Sequence, residues 1–247
     1  MTAYGLQLYS IRDLAEKDLA EAIRTAARIG YKGMEFAGFF GLPAQTVRDT
    51  MVEAGVTAWG THTGVKELTE EHLEETIAYH QAISCKLIII PGAELYTLAH
   101  LEGFVRVVNA ALPRLTEAGI TLAYHNHSHE FFPNDDGIVI YDWLLEHTDL
   151  KLEVDTFWAF NAGKDPIALL DQLGDRVVAV HLKDGIPSAE WQHATGTPLG
   201  QGKAPVRAVR DYALAHGQLV VVESETLQPD GPTEAAKCMA YLKTLEQ

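Results

Sequence analysis

Residues Ala26–Phe36 read AARIGYKGMEF, Met51–Gly60 read MVEAGVTAWG and Thr116–His125 read TEAGITLAYH. Each is the tail of a helical pattern, then a glycine, then a short apolar run. Gly30, Gly55 and Gly119 stand where a helix gives way to the left-handed turn that only glycine adopts without a Cβ penalty. Helix–glycine–strand is the joint of a βα repeat, and the repeat runs through the chain. Eight segments read as strands, beginning near Gly5 (GLQLYS), Lys32 (KGMEF), Thr57 (TAWGTH), Lys86 (KLIII), Ile120 (ITLAYH), Lys151 (KLEVD), Val177 (VVAVH) and Leu219 (LVVVE). Each is short, rich in Val, Ile, Leu or aromatic residues, and bounded by glycine, proline or charge. Their starts lie about 25 to 34 residues apart, with a longer interval before the last.

The intervals carry helical faces. Leu101, Phe104, Val105, Val108, Leu112 and Leu115 follow i, i+3, i+4, i+7 spacing, and Ala20, Ile23 and Ala27 do the same in the first interval. Pro43, Pro166, Pro205 and Pro232 fall at helix starts, where a missing N–H costs nothing, and Asp165 is placed to cap the helix at Pro166. Eight βα units predict an α/β fold, a single (β/α)8 TIM barrel over residues 1–247. An open doubly wound sheet would carry a glycine-rich phosphate turn after its first strand, and Tyr9–Asp13 is YSIRD. The long interval holds SAEWQHATGTPLGQGKAP (Ser188–Pro205), read as an extended loop over the barrel mouth.

Composition narrows the function. Against 34 acidic residues stand 19 Lys and Arg, a net charge of −15 that repels a phosphate backbone and argues against a nucleic-acid partner. A hydrophobic fraction of 47% suffices for a sizeable core and excludes a disordered chain. Two cysteines, Cys85 and Cys238, make neither a disulfide framework nor a four-cysteine zinc site and read as inert buried thiols in a reducing, cytoplasmic setting. The start MTAYGLQLYSIRD shows no secretory signal, and the longest aliphatic run, Leu87–Ile90, is far too short for a membrane helix. Monomer and homo-oligomer stay equally open.

In such a barrel the chemistry gathers at the C-terminal strand ends. The sixth, seventh and eighth strands end in Asp155, His181 and Glu223 after apolar runs such as VVAV and LVVV. Two carboxylates and an imidazole converging there would cost several kcal/mol unless something pairs them. A divalent cation does so, and a mixed oxygen and nitrogen set suits Mn²⁺, Zn²⁺, Co²⁺ or Fe²⁺. The fourth ligand is expected from the fifth strand or its loop, as Glu130 or His125. His125 and Asn126 are also candidate substrate contacts. Glu35 and His62 fit either a substrate contact or a structural hydrogen bond, and Trp158 is a candidate sugar-stacking wall. The acidic stretch Glu67–Glu75 reads as a solvated helix face.

The segments AYHNHSHEF, LEVDTFW, VHLKDG, PLGQG and VVES, with GLQLYSIR and GYKGMEFAG earlier, resemble the xylose isomerase-like TIM-barrel family of sugar and sugar-phosphate isomerases and epimerases. The resemblance covers essentially the whole chain. It implies a divalent metal held by Asp155, His181, Glu223 and a fourth ligand on the fifth strand. The family's usual glutamate there is replaced by the stretch Ala123, Tyr124, His125, and the family's G-E-G loop stands here as Gly200-Gln201-Gly202. It further implies a carbohydrate substrate and proton abstraction α to a carbonyl through a metal-stabilised enediolate. Glu223 would be the base, Glu130 the opposing acid/base, and His181 with Lys183 the oxyanion stabilisers. Rival expectations are a metal-dependent lyase or hydrolase of 3-keto-glycosides, a barrel endonuclease disfavoured by charge, and a non-catalytic sugar-binding barrel. Only Arg12, Lys183 and Lys203 could meet a phosphate at the mouth, which favours an unphosphorylated sugar or cyclitol.

Overall fold

The computed structural model describes residues 2–246. Ten strands occur in chain order: β1 (Gly5–Gln7), β2 (Gly33–Phe36), β3 (Thr57–His62), β4 (Leu87–Ile90), β5 (Thr121–His125), β6 (Lys151–Asp155), β7 (Val177–Leu182), β8 (Asp184–Ile186), β9 (Thr195–Thr197) and β10 (Leu219–Val222). Eight close into a parallel barrel in the order β1-β10-β7-β6-β5-β4-β3-β2. These are the eight segments expected from sequence, with β10 as the eighth. Closure is made by the pairing of Gly5 with Val221 and Leu6 with Val222. The long interval holds what sequence patterning did not show, an antiparallel hairpin of β8 and β9.

The helices obey their local signals. Asp18 caps Leu19–Ile29 by accepting from Glu21 N at 2.9 Å, and Asp165 caps Pro166–Leu173 by accepting from Ile167 N and Ala168 N. Gly30 and Gly55 end their helices at positive φ. On Leu98–Glu117 the stripe Leu101, Phe104, Val108, Ala111 and Leu115 is buried and packs against Leu122 and Tyr124 of β5. Because helices cover the outside of each strand, both strand faces are apolar, which is why LIII and LVVV are unbroken runs. Cys85 and Cys238 are free and buried, and burial pushes both thiols up to about 11.

Inside the barrel the packing changes with height. The lower interior is apolar and small, with Leu87, Ile89, Ala123 and Ala179 joined by Leu219. The indole of Trp59 lies over Gly5 and Gly33, which are register partners, and a Cβ on Gly33 would fall 1.9 Å from Trp59 Cδ2. Higher up, a Cβ on Gly60 would sit 3.0 Å from Glu35 Oε2 and 2.7 Å from Ile89 Cδ1, so this glycine makes room for a buried carboxylate. The strand period of two then sends Glu153 and Asp155 of β6, Ala179 and His181 of β7, and Val221 and Glu223 at β10 to the inner side.

The loop after β7 is fixed from below by Asp184. Its buried carboxylate accepts backbone N–H groups from Gly185 (2.8 Å), Gly200 (2.9 Å), Gly202 (2.9 Å) and Ala204 (3.0 Å). A Cβ on Gly202 would lie 2.2 Å from Asp184 Oδ1, so the GQG motif is glycine where the backbone must close on that carboxylate. The interior geometry gives two substitutions of opposite sign. Gly33→Ala should lower stability by about 2–3 kcal/mol through overpacking against Trp59. Gly103→Ala, mid-helix with nothing within 4 Å of the added methyl, should raise it by about 0.5–1 kcal/mol. Urea unfolding of both variants beside the parent chain measures this, and equal midpoints would contradict the packing described.

Candidate metal and active site

Two tiers of polar side chains fill the upper barrel. The lower tier joins five strands, β1, β2, β3, β6 and β7. Gln7 Nε2 donates to Glu35 Oε1 at 2.7 Å. His181 Nε2 lies 2.7 Å from that same oxygen and 3.1 Å from Glu153 Oε2. His62 Nε2 lies 3.0 Å from Glu153 Oε2 and 3.2 Å from Glu35 Oε1. Burial alone would raise the Glu35 carboxyl, but the His181 imidazole and the hydrogen bonds from His181 and His62 hold it well below the usual carboxylate range. Glu153 goes the other way, raised by burial and by the neighbouring Glu35 charge. Burial would lower His62, yet its hydrogen bonds to Glu153 and Glu35 carry it up to about 9.

The upper tier brings together His125, Asp155, His181 and Glu223, from β5, β6, β7 and the end of β10, with ligand atoms within 4.8 Å of one another. The donors are the notable feature. Both ring nitrogens of His125, Asp155 Oδ2 and His181 Nδ1 are buried without a hydrogen-bond partner. Orphaned buried polar atoms cost free energy and call for an explanation. Two imidazole nitrogens with two carboxylates are the donor set of a borderline divalent ion such as Mn²⁺, Zn²⁺, Co²⁺ or Fe²⁺, so these residues fit one. The surroundings suit that use. Burial, then the nearby His181, keeps His125 well below the usual imidazole range and therefore neutral, as a ligand must be. His181 turns its other nitrogen to Glu35, the carboxylate–histidine arrangement that fixes a ligating ring.

Lys183 closes one side. Its Nζ lies 2.6 Å from Glu225 Oε2, 3.2 Å from Glu223 Oε2 and 3.9 Å from Asp155 Oδ2, and 4.5 Å over the Trp158 ring. Burial opposes its charge, but Glu223, Asp155 and Glu225 more than offset this and raise its pKa. For Glu223 the same ammonium, with His181, overcomes burial and holds the carboxyl well below its ordinary value. Above the tiers opens a cavity of about 400 Å³ whose wall includes Tyr9, His62, His125, His127, Glu223 and Glu225.

Several expected residues lie elsewhere. Glu130 does not join Asp155, His181 and Glu223. After Asn126 the chain turns into a short 3-10 turn, His129–Phe131, and Glu130 accepts from Tyr124 Oη at 2.9 Å and His127 N at 2.8 Å, in a separate group with His127 and His129. The strand-five donor at the mouth is His125. Asn126 is buried and pairs with the backbone of Asp155, donating to its O and accepting from its N, both at 3.2 Å. Glu35 sits beneath the cavity rather than on its wall. Trp158 covers Lys183 and gives its backbone N–H to Asp155 Oδ1. Sequence reading missed Glu153, although a glutamate two residues before Asp155 in an apolar strand must face the same side. It also gave no role to His127, which lines the cavity.

Residues 23–245 match the family described as a xylose isomerase-like TIM barrel. The chain belongs to that family. Among curated proteins, an inosose dehydratase of Geobacillus kaustophilus (strain HTA426) is 26% identical over 191 residues, 66% of this chain and 61% of that protein. The matched part is thus about three fifths of the relative's length. Among solved structures, a sugar phosphate isomerase/epimerase from Parabacteroides distasonis superposes with a TM-score of 0.78 at 21% identity, covering 98% of this chain and 93% of its own. An L-ribulose 3-epimerase does so at 0.72 and 15%, covering 99% and 94%. At these identities the two structures speak for the shared barrel.

Elemental analysis of the purified protein tests the donor set. About one equivalent of Mn, Zn, Co or Fe is expected, and Asp155→Asn should lose it while keeping the acceptor that caps Trp158 N. Absence of metal from both proteins after incubation with each ion would exclude this reading of the four donors.

Proposed function

We propose that this chain is a divalent-metal-dependent enzyme that removes a proton α to the carbonyl of an unphosphorylated keto-sugar or keto-cyclitol, with isomerisation or epimerisation as the outcome. One observation carries the reading: four metal-type donors on β5, β6, β7 and β10, three of them with orphaned buried atoms, lie together beneath a cavity whose wall includes two of them, His125 and Glu223, with further acid–base groups. A divalent ion held there would supply Lewis acidity toward a carbonyl and its neighbouring hydroxyl.

The chain's own residues do the rest. Glu223 is engaged through Oε2 with Lys183 and His181, and its side chain forms part of the cavity wall. Held ionised by the Lys183 ammonium, it is the group suited to take the α proton. Lys183, fixed among three carboxylates, holds Glu223 in place and offsets charge developing at the mouth. His62 faces the cavity from β3, on another side of the mouth, and carries a proton at neutral pH because Glu153 and Glu35 sit behind it. It can hand that proton to the carbon or oxygen left electron-rich, the part first expected of Glu130. Glu130 instead orients His127 through its backbone.

Among the described residues the cavity wall carries no lysine or arginine, which supports an unphosphorylated substrate. Arg12 is committed to the carbonyls of Tyr9 and Glu225 and stacks on Tyr9 at 4.1 Å. A second reading, β-elimination of water after the same proton abstraction, is favoured by the proton on His62, which could leave with the departing hydroxyl. The relative described as an inosose dehydratase points the same way.

Incubation with a panel of keto-sugars and keto-cyclitols in D₂O should show deuterium entering the α carbon. Glu223→Gln should slow that entry by at least about 100-fold. Full exchange in the variant would remove Glu223 as the base, and water loss in place of rearrangement would select the elimination reading.

A further inference from the structure

A second cavity of about 400 Å³ adjoins the first, and the two share His62 and Gly38 as walls. Its polar surface is one-sided, as the hydrogen bonds show. His80 Nδ1 lies 2.6 Å from the carbonyl of Thr76, which can only accept, so Nδ1 carries the proton. His80 is buried, and burial lowers its pKa, so its Nε2 is a bare acceptor. Thr61 must therefore donate its hydroxyl to His80 Nε2 at 2.7 Å, and Thr63 must donate to Thr61 at 2.9 Å. The proton of Thr63 is spent inside the wall, and what it presents to the cavity is lone pairs.

The same holds around the rim. Tyr79 Oη donates to Leu42 O at 2.7 Å, and Thr76 Oγ1 to Glu67 O at 2.8 Å. The remaining polar side chains on this wall, apart from the shared His62, are the carboxylates of Glu67 and Glu75. One face is aromatic, with Phe39 and Tyr79 rings 4.3 Å apart between centroids. Beyond the His62 it shares with the first cavity, the side chains of this wall only accept, so they receive hydroxyl protons and disfavour phosphate and carboxylate. The aromatic face suits the apolar side of a sugar ring.

We propose that this second cavity is a subsite for a neutral, hydroxyl-rich sugar ring, so that the substrate is a two-unit glycoside with its reacting unit in the first cavity. The inference rests on the sugar chemistry proposed above and adds the second unit to it. The acidic residues Glu67 and Glu75, expected to be a solvated face, are exposed yet line this cavity.

Binding without turnover tests it. Calorimetric titration with glucose, with glucose 6-phosphate and with four neutral disaccharides (maltose, cellobiose, trehalose and sucrose) compares one unit, an anion and two units. At least one disaccharide should bind about 10-fold tighter than glucose, the effect of one or two added hydrogen bonds, and glucose 6-phosphate should gain nothing. Glu75→Lys, at an exposed position, and Thr63→Val, which removes the directed hydroxyl, should each erase the disaccharide advantage. The subsite is overturned if no disaccharide outbinds glucose, if glucose 6-phosphate binds tightest, or if the advantage survives both substitutions. Failure of α-proton exchange with the disaccharide preference intact would sink the carbonyl chemistry and leave the subsite standing.

Discussion

His181 Nε2 reaches two buried carboxylates at once, Glu35 at 2.7 Å and Glu153 at 3.1 Å. Either carboxylate without a cationic or donor partner would cost several kcal/mol in this interior. The imidazole removes that cost and in doing so ties β2, β6 and β7 to one another, while Gln7 and His62 bring in β1 and β3. The ring's other nitrogen is thereby turned toward Glu223. Orientation of the upper donors thus depends on neutralisation of the lower acids. The apolar floor and the Gly60 gap exist on the same terms, since they leave Glu35 the space to reach the centre.

Much of the fold was legible because parallel strands covered on both faces must be continuous apolar runs, and because several helices announce an end through glycine, proline or a capping aspartate. The β8–β9 hairpin was not, since Thr195–Thr197 is a polar edge pair whose partner is set by a loop clamped on Asp184. Of the mouth residues, Asp155, His181 and Glu223 could be read because each ends a strand. The choice between His125 and Glu130 could not. It depends on where the backbone turns after Asn126, and that turn is held by the amide of Asn126 on the Asp155 backbone, a contact between residues 29 apart. Glu153 was legible in principle from its two-residue offset to Asp155, but a glutamate inside a strand looks solvent-facing until the strand is known to be covered on both sides.

Charge is allotted differently in the two cavities. Around Lys183 the acids crowd so closely that one ammonium faces three carboxylates. In the neighbouring cavity, beyond the shared His62, the polar side chains are hydroxyls with spent protons, the neutral imidazole of His80 and peripheral acids. The first arrangement suits a centre where charge develops, and the second suits recognition of a group that stays unchanged.

The seam between β1 and β10 has a consequence for how the chain is made. Gly5 waits for Val221, and Glu35 for His181, partners separated by most of the polypeptide. During synthesis the amino-terminal strands emerge with an unpaired sheet edge and an acid that lacks its His181 partner. They can close only when the last strand leaves the ribosome. Such distant pairing makes for slow ring closure, and an edge left open during that time is the one at which two nascent chains would pair with each other.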